Sequence, residues 1–592
     1  MFRQLALTVL LAAFPAAVQL SAAPRLGVEL PQELDRSPCD SLGTCPIYIE
    51  EGQNGPASLI IQAKNLGDGD LNVTATGAPS SWLGANVGSM GPCLNNISEM
   101  CQPIALQLNT AALPAGEHYA ELTIEAPGAI DAPRRIPIRV RIGGDIPSQI
   151  DFYVPPTEGA ADFVDFQTPA GPAPTFEKAG NFLSISSNGL GSFRYLHTHR
   201  LIGRYTAANA NVGENNGSIT VSGSSFGADN REVPVKLHVT AEPILRLSMD
   251  QLTITTAEGI APNPQYLAIS NGGLGDLTVD SVEVATENGG EWLTASTEAV
   301  PGFVQVTPAV DGLAVGRYTG TVRVNGNAVN APQVIPVALE IKAAGAPTAS
   351  YQGTVDAATF QQPVSPGSLI SIFGEQLSYQ LAGAESTPLP TELGEASVTI
   401  DGISAPLVFA SYGQLNVQVP NEVGTGARVV QVARGGTPGN STMVEVEQRV
   451  PRLFLVGIGQ YGAIINATQG NFPLPADQVP AGVNGGPAHP GDVISLYATG
   501  LGPATPVVPT GEAAPSSPLS QSPELPMVSF SRIPLGPMTT ADFAGLAPGF
   551  VGLWQINVTI PQNAPTDEHT PITLYFLDGS RRSNTIEIPI VR

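Results

Sequence analysis

The sequence is poor in charged residues, and in basic residues above all. Charged side chains make up 13% of its 592 residues, and 26 Lys and Arg stand against 51 Asp and Glu, for a formal net charge of −25. The few basic residues are scattered, whereas a surface that tracks nucleic-acid phosphates needs a basic stripe. An anionic membrane likewise attracts polybasic patches. The composition therefore excludes nucleic acid as an expected partner and disfavours anionic membranes.

Long apolar runs are missing after the N-terminus. The chain begins Met1-Phe2-Arg3, an apolar run extends from Leu5 to Val18, and the small residues Ser21-Ala22-Ala23 follow it. This order is the anatomy of a cleavable secretory signal, and the run is shorter than the ~20 residues of a membrane-spanning helix. We expect a signal peptide at residues 1–23, secretion to the periplasm, cell surface or medium, and no membrane span in the mature chain.

Cysteine is scarce, and all four cysteines lie near the N-terminus: Cys39, Cys45, Cys93 and Cys101. An even number in an exported chain predicts two disulfides, and three pairings are open. Zinc is the alternative, but the cysteine spacings are wider than those of zinc knuckles and no histidine lies close to them. The pattern favours disulfides.

Helical periodicity is absent from the rest of the chain. Alternating strand-like segments, such as residues 120–125 and 415–419, recur between turn residues. The 64 Gly and 55 Pro lack the three-residue glycine period of collagen, and 42% of the residues are hydrophobic, which is enough to bury sizeable cores. The sequence predicts an all-β protein.

Repeats divide this β-rich chain. A first family joins an Asn-x-Gly turn, a Trp-Leu pair, a glycine segment that ends in Tyr, and a closing strand that contains proline. One copy has these landmarks at Asn65, Trp82, Tyr119 and Pro137, and another has them at Asn271, Trp292, Tyr318 and Pro336. A degenerate copy between them keeps the Asn188 turn and the Pro234 strand but lacks the Trp-Leu pair. Each copy spans about 100 residues, a natural length for a seven-stranded sandwich.

A second pattern is duplicated within the C-terminal part, from near residue 350. Pro366-Gly-Ser-Leu-Ile-Ser-Ile-Phe-Gly374 corresponds to Pro490-Gly-Asp-Val-Ile-Ser-Leu-Tyr-Ala498. Further along, three polar residues of the first half have counterparts in the second: Gln414 and Gln555, Asn416 and Asn557, Asn440 and Asn584. The second half carries extra residues at 503–537, rich in Pro and Ser, which predict a surface loop.

These landmarks resemble two known families. The Asn-x-Gly, Trp-Leu and Gly-x-x-Tyr features are similar to those of BACON-type and related immunoglobulin-like modules of secreted bacterial proteins. Residues 351–592 resemble an uncharacterised C-terminal domain of secreted acidobacterial (Solibacter-type) proteins, through Phe409-Ala-Ser-Tyr-Gly-Gln-Leu-Asn-Val-Gln-Val-Pro420 and Gly545-Leu-Ala-Pro-Gly-Phe-Val-Gly-Leu-Trp-Gln-Ile-Asn-Val-Thr-Ile-Pro561. The BACON-type resemblance implies attachment to polysaccharide or mucin-like glycan. Neither resemblance supplies a catalytic residue.

Together the patterns predict tandem immunoglobulin-like β-sandwich domains, arranged as a rod with short proline-containing linkers. Exposed loops at the sandwich ends are the expected binding surfaces. After the signal peptide (1–23), the predicted segments are a first domain with the cysteines (24–145), a degenerate domain (146–242), a third domain (243–345), and two halves of the C-terminal family (346–450 and 451–592).

Trp82 and Trp292 are the candidate ligand-binding residues, because a flat indole face can stack on the apolar face of a sugar ring. Trp554 offers the same chemistry in the C-terminal part. Each tryptophan stands next to Leu or Gln in a strand-like context, and in the first family it recurs at the same repeat position. Such a position is typical of a sandwich core, so the pattern favours packing over ligand binding.

Asp68, Asp70 and Asn72 imitate the start of a calcium loop, where alternating oxygens converge on a hard cation. The glutamate that such a loop needs at its twelfth position is missing. The aligned repeat has Gly273-Leu-Gly275-Asp276 at this point, which is typical of a tight turn. The sequence therefore favours a turn, with calcium as the alternative.

Two further motifs, a nucleophile-elbow string and a pair of histidines, imitate functional sites. Gly223-Ser-Ser-Phe-Gly227 matches the nucleophile-elbow string, but a strand-like segment rather than a helix follows it, so we expect a hairpin loop. His197 and His199 lie on one face of a strand and could bind a metal with a third ligand. No third ligand is evident in the sequence, and solvated or packed histidines are expected.

The sequence therefore predicts a non-catalytic surface or adhesion protein without a cofactor. Its expected partner is an extracellular polysaccharide or a surface protein. One alternative is a purely structural envelope or matrix protein. A second is an extracellular hydrolase with a site between domains, near residues 503–537, which would need a pair of carboxylates.

Overall fold

The computed structural model describes residues 23–592 except 32–33, 35–45, 57–58, 79–80, 170–172, 189–195, 457–460, 476–478, 480–482, 533–535, 578 and 580. The predicted signal peptide up to residue 22, and Cys39 and Cys45, lie outside the described residues. The described part forms ten β-sheets and one short 3-10 helix, Gly227–Asp229, and it holds no helix long and apolar enough to cross a bilayer. The prediction of an all-β chain of tandem immunoglobulin-like sandwiches is confirmed.

Five hydrophobic cores follow one another along the described part of the chain, and each lies between two sheets. Long strands such as Arg134–Ile142 supply them by turning alternate residues inward. We number the five sandwiches in chain order. The boundaries predicted between domains stay a prediction. The first sandwich contains β1 (Leu26–Glu29), β2 (Ile47–Ile49), β3 (Ile60–Asn65), β4 (Thr74–Ala78), β5 (Leu83–Val87), β6 (Gly91–Pro92), β7 (Met100–Leu108), β8 (Gly116–Glu125) and β9 (Arg134–Ile142).

The second and third sandwiches follow the first in the chain. The second contains β10 (Ile150–Val154), β11 (Ala161–Pro169), β12 (Thr175–Ala179), β13 (Leu183–Asn188), β14 (Leu196–Arg204), β15 (Gly213–Ser222) and β16 (Glu232–Val239). The third contains β17 (Leu245–Leu247), β18 (Leu252–Ala257), β19 (Gln265–Asn271), β20 (Val279–Thr286), β21 (Leu293–Ser296), β22 (Phe303–Pro308), β23 (Gly316–Gly326) and β24 (Gln333–Lys342).

One parallel strand pair recurs in all three sandwiches of the first family. An early strand pairs in parallel with the last strand of the same sandwich, as β2 with β9, β10 with β16 and β18 with β24. The last strand also pairs antiparallel with the strand before it. The degenerate second copy thus has the same topology as its neighbours at this sheet, although it lacks their Trp-Leu pair.

The fourth and fifth sandwiches are built from the second duplicated pattern. The fourth contains β25 (Thr348–Asp356), β26 (Leu369–Glu375), β27 (Ala382–Gly383), β28 (Glu392–Leu393), β29 (Ala396–Ile400), β30 (Ile403–Ala405), β31 (Leu407–Ala410), β32 (Gln414–Gln418), β33 (Gly426–Arg434) and β34 (Thr437–Val446). The fifth contains β35 (Arg452–Leu453), β36 (Ile464–Asn466), β37 (Val493–Thr499), β38 (Met527–Ser529), β39 (Met538–Thr540), β40 (Phe543–Leu546), β41 (Trp554–Thr559), β42 (Thr570–Tyr575) and β43 (Ile586–Ile588).

The proline-rich insertion of the fifth sandwich is a strap rather than a free surface loop. The side chain of Asn421, in the fourth sandwich, donates to the carbonyl of Val508 at 3.0 Å. The Gly511 N–H donates to the Gln418 side chain at 2.7 Å, and its carbonyl accepts from the Leu389 N–H at 2.8 Å. These bonds tie the insertion to the neighbouring sandwich, which a sequence pattern of prolines and serines does not reveal.

The five sandwiches do not follow one another as a simple rod, because the first sandwich packs back against the fourth. The N–H of Asp131 donates to the carbonyl of Ser441 at 2.8 Å, and the Asp131 carboxylate accepts from the N–H of Met443 at 3.0 Å. The Arg134 guanidinium lies 3.4 Å from the centroid of the Tyr351 ring. These contacts join residues that are hundreds of positions apart, and no local sequence pattern encodes them.

Candidate functional site

The two candidate ligand-binding tryptophans belong to cores. Trp82 is 7% exposed in the core of the first sandwich, and Trp292 is 2% exposed in that of the third. The Trp292 Nε1–H donates to the Asn288 carbonyl at 3.0 Å, which satisfies its polar edge inside the protein. Neither ring has an exposed face on which a sugar could stack. This finding corrects the assignment of Trp82 and Trp292 as ligand-binding candidates.

The calcium candidates lie in a turn that a neighbouring asparagine holds. The Asn65 side chain accepts from the Gly67 N–H at 3.0 Å and donates to the Gly69 carbonyl at 2.8 Å. The third sandwich repeats both bonds around Asn271, with Gly273 and Gly275. The two carboxylates and the side-chain amide of the calcium candidates are all exposed: Asp68, Asp70 and Asn72.

The tight turn therefore explains the motif without an ion. Gly69 adopts a φ of +78°, which glycine accommodates without strain. Within the described ranges, no three His, Cys, Asp or Glu side chains are grouped so that they could hold a metal ion. Calcium binding at Asp68, Asp70 and Asn72 stays an untested alternative.

Cys93 and Cys101 form one of the two disulfides that the sequence predicts. The bond crosses the base of the hairpin between β6 and β7, and both cysteines are at most 2% exposed. The loop that it closes displays Leu94 at 67% and Ile97 at 85% exposure. The disulfide therefore fixes an apolar loop at the surface of the first sandwich.

His199 is packed inside the second sandwich rather than poised for metal binding. Its Nε2 lies 2.8 Å from the Thr168 Oγ1, and its Nδ1 lies 2.8 Å from the Ser187 Oγ. Burial, with a smaller contribution from His197, lowers the pKa of His199 to about 4. Both histidines are at most 2% exposed, so the expectation of packed histidines is confirmed.

The serine-containing motif at residues 223–227 lies in the loop between β15 and β16. These two strands pair antiparallel, and the Ser224 Oγ donates to the Asp229 carboxylate at 3.0 Å within the loop. A nucleophile elbow instead needs a strand that leads into a helix. The hairpin prediction is confirmed.

A cleft between the third and fourth sandwiches is the strongest candidate for a binding site. Its volume is ≈ 400 Å³, within the range of small-ligand sites. Threonine and serine hydroxyls, asparagine and glutamine amides and two tyrosines line it. We call it the tyrosine cleft and define it by residues 253–256, 260–263, 265, 374–375, 378–380 and 411–413.

The two tyrosines of the cleft differ in how their hydroxyls are used. The rings of Tyr379 and Tyr412 are nearly parallel, with an interplanar angle of 17° and centroids 6.5 Å apart. The Tyr379 hydroxyl donates to the Gln376 side chain at 2.7 Å, and the Arg434 guanidinium lies 3.7 Å from its ring centroid. These two contacts fix the orientation of the Tyr379 ring.

The Tyr412 hydroxyl is buried and has no hydrogen-bond partner among the residues that the structure describes. Burial, followed by the proximity of Tyr379, raises the pKa of Tyr412, so this phenol stays protonated and can donate. A buried polar group left unpaired costs about 1–3 kcal/mol. An incoming ligand oxygen that accepted this hydrogen bond would remove that penalty.

The cleft holds one carboxylate, that of Glu375, and its charge is already paired. The Lys342 ammonium lies 2.5 Å from the Glu375 carboxylate, and the Arg135 guanidinium of the first sandwich forms a second ion pair with it. Glycoside hydrolysis needs two carboxylates in different protonation states. The described lining residues therefore provide binding groups but not an acid and base pair.

A second cavity, of ≈ 260 Å³, lies between the fourth and fifth sandwiches beside the strap. Its apolar lining includes Phe550 at 58% exposure and Val507 at 72%, together with Trp554, which is 3% exposed in the fifth core. Glu512 is its single acidic residue. The location matches the site predicted for the hydrolase alternative, but the pair of carboxylates that such a site needs is not among its described lining residues.

No sequence pattern predicted a site at the residues of the tyrosine cleft. Tyr412 stands in the Phe409–Pro420 motif, while Tyr379 and Glu375 stand in no motif at all. The cleft forms where two sandwiches meet, so a pattern within one sandwich cannot reveal it. One signal was available in the Tyr412-Gly-Gln414 segment. Its tyrosine corresponds to Leu553 in the second half, so the tyrosine is not a shared feature of the duplicated pattern.

Comparisons with known proteins give distant likenesses. No family model and no curated protein matches the chain. An endo-fucoidan hydrolase from glycoside hydrolase family 107 matches 46% of this chain at 14% identity and a TM-score of 0.15, and the chain spans only 39% of that hydrolase. A three-immunoglobulin-domain structure of titin matches 50% of this chain and 94% of its own length, at 10% identity and a TM-score of 0.14.

The human desmocollin-1 ectodomain matches over most of both chains, 92% of this one and 98% of its own, at 9% identity and a TM-score of 0.14. Titin and desmocollin-1 thus place immunoglobulin-like and ectodomain repeat proteins among the structural neighbours. At TM-scores this low, none of the three assigns an activity, a substrate or a partner to this chain.

Proposed function

We propose that the chain is a secreted, non-catalytic surface or adhesion protein that binds extracellular carbohydrate in the tyrosine cleft. The observation that carries the proposal is the unpaired Tyr412 hydroxyl beside the ring of Tyr379, in a cleft lined by neutral hydroxyls and amides. Sugars present both an apolar ring face and many hydroxyls. Aromatic rings and neutral hydrogen-bonding groups match the two features.

Secretion is supported by two independent features. The N-terminal segment has the order of a cleavable signal, and the Cys93–Cys101 disulfide is of a kind that persists in oxidising compartments. We further propose, from their motifs, that the first three sandwiches belong with BACON-type modules and residues 351–592 with the Solibacter-type family.

The absence of catalysis is supported by the charge of the cleft. Glu375 is the single carboxylate among the described lining residues, and it forms ion pairs with Lys342 and Arg135. A general acid must carry a proton at the working pH, and cationic neighbours oppose that state. Binding without bond cleavage is the function that this arrangement supports best.

The experiment is a glycan and polysaccharide array probed with the purified mature chain, with and without calcium. We expect binding to one polysaccharide class that is independent of calcium. Tyr379→Ala should abolish it by removing the ring, and Tyr412→Phe should weaken it roughly 5- to 10-fold by removing one hydrogen bond.

The matched control is Tyr266→Ala, which removes a 43%-exposed tyrosine from the same third sandwich but outside the cleft. It should bind as the wild type does. Array binding that Tyr379→Ala leaves unchanged would contradict the site. Binding to none of the glycans on the array would contradict carbohydrate binding and favour a structural protein or one with a protein partner.

A further inference from the structure

The first sandwich is attached to the fourth by a buried charge. Asp131 is 1% exposed, and its carboxylate accepts from the Arg25 Nε at 2.7 Å and from the Met443 N–H at 3.0 Å. Its backbone φ is +63°, a region that Asp and Asn tolerate better than most residues. Asp131 is therefore specialised for this contact by both its charge and its backbone.

A second attachment point is a network of four charges contributed by three sandwiches. Glu121 and Arg135 come from the first sandwich, Lys342 from the third and Glu375 from the fourth. The Lys342 ammonium lies 3.1 Å from Glu121 and 2.5 Å from Glu375. The four side chains are 17–28% exposed, so their attraction is partly screened by salt.

Glu375 belongs to this network and to the tyrosine cleft at once. One of its oxygens pairs with Lys342, the other pairs with Arg135, and its residue lines the cleft. Arg135 also lies close enough to Tyr412 for its positive charge to act on the phenol. The first sandwich thus reaches the cleft through one contact, the ion pair of Arg135 with the lining residue Glu375.

We propose that docking of the first sandwich sets the rigidity of the tyrosine cleft, with Glu375 as the residue that docking and cleft share. The proposal deepens the proposed function and rests on it for the identity of the ligand. When the first sandwich is docked, Lys342 and Arg135 both hold the Glu375 carboxylate. When the first sandwich is released, Glu375 keeps only its ion pair with Lys342, and the cleft segments that contain Glu375 and Tyr412 become more mobile.

The experiment compares the mature wild-type chain with Asp131→Asn, Arg135→Gln and the double variant. Asp131→Asn is the sharper probe, because it weakens docking at a residue that does not line the cleft. Asparagine also tolerates the left-handed backbone conformation of residue 131. Arg200→Gln is the matched control: it breaks an arginine–aspartate pair, with Asp165, that is 43–49% exposed in the second sandwich. Small-angle scattering measures the radius of gyration, and hydrogen–deuterium exchange measures residues 374–380 and 411–413.

We expect the radius of gyration to rise in each of the three docking variants, by roughly a tenth in the double variant. The wild-type value should lie above the ~25 Å expected for a fully compact chain of this length. Amide exchange in the two cleft segments should rise roughly 10-fold in Asp131→Asn. Sodium chloride at 1 M should raise the radius of gyration and the cleft amide exchange of the wild type as well. Arg200→Gln should change neither measurement.

Two results would overturn the proposal. In one, the double variant scatters as the wild type does, so these charges do not hold the first sandwich in place. In the other, the radius of gyration rises while exchange in the cleft stays unchanged, so docking and cleft are independent. The measurements use no ligand, so a chain that responds as expected but binds no glycan would support the coupling of docking to the cleft and refute only the proposed ligand.

Discussion

Asn440 pairs with the backbone of Ala349 through both ends of its side-chain amide. The Asn440 Oδ1 accepts from the Ala349 N–H at 2.7 Å, and the Nδ2 donates to the Ala349 carbonyl at 2.9 Å. Asn584 makes the same two bonds with Leu453 in the fifth sandwich, at 2.8 and 3.0 Å. The duplicated asparagine therefore acts as a backbone mimic that holds the first strand of each C-terminal sandwich.

We predict that Asn440→Ala destabilises the fourth sandwich by about 2 kcal/mol, because the buried N–H and carbonyl of Ala349 lose their partner. Hydrogen–deuterium exchange of the Ala349 amide should accelerate about 30-fold. Asn95→Ala, which removes an exposed asparagine from the first sandwich, is the control. Unchanged exchange at Ala349 would show that water replaces the side chain without cost.

We predict that the second sandwich loses stability in acid because of His199. Its pKa is about 4 in the folded chain against 6.5 when unperturbed, so the unfolded chain binds the proton more readily. The stability that neutral His199 provides is complete above pH 6.5 and is lost as the pH falls toward 4, by about 3 kcal/mol at most.

The measurement is amide exchange of β14 at pH 7 and pH 4.5, corrected for the intrinsic rates. His199→Gln should flatten the pH dependence of protection, whereas His118→Gln, in the first sandwich, should leave it as in the wild type. A pH dependence that survives His199→Gln would assign the acid sensitivity to other groups.

We predict that the tryptophans resist quenching by iodide, because Trp82, Trp292 and Trp554 are at most 7% exposed. Trp292→Ala should cost about 3–5 kcal/mol of third-sandwich stability, as expected for an aromatic core residue. Phe550→Trp is the positive control, since residue 550 is 58% exposed and its new indole should quench readily. Strong quenching of the wild type would contradict the core assignment.

We predict that the Cys93–Cys101 disulfide contributes about 2.5 kcal/mol to the first sandwich by closing a short loop. Replacing both cysteines by alanine should lower protection from exchange in β7 and leave the third sandwich unaffected. Because both cysteines are at most 2% exposed, mild reductant should not reach the bond in the folded chain. Rapid reduction of the native protein would contradict that burial.

The elements within each sandwich follow from the sequence because short-range chemistry specifies them. The Asn65 and Asn271 turns need one asparagine and nearby glycines. In each Trp-Leu pair the leucine begins a strand, and both large apolar side chains enter the core. Those patterns predicted the all-β fold and the core position that Trp82 and Trp292 occupy.

The contacts between sandwiches could not be predicted in the same way. Asp131 contacts Met443 across 312 positions, and Glu375 contacts Arg135 across 240. Each of these residues is an ordinary charged or apolar residue in its own segment. Their roles arise only when three sandwiches come together, and for this reason the tyrosine cleft was missed and a rod was expected.

Carbohydrate binding without cleavage is tested by incubating the mature chain with a panel of insoluble and soluble polysaccharides and measuring protein depletion and new reducing ends in the same samples. We predict that one polysaccharide class depletes the wild-type chain, that Tyr379→Ala stays in solution, and that reducing ends do not increase. An increase in reducing ends that is lost in Glu375→Gln would contradict binding without cleavage, and depletion by no polysaccharide would contradict carbohydrate binding itself.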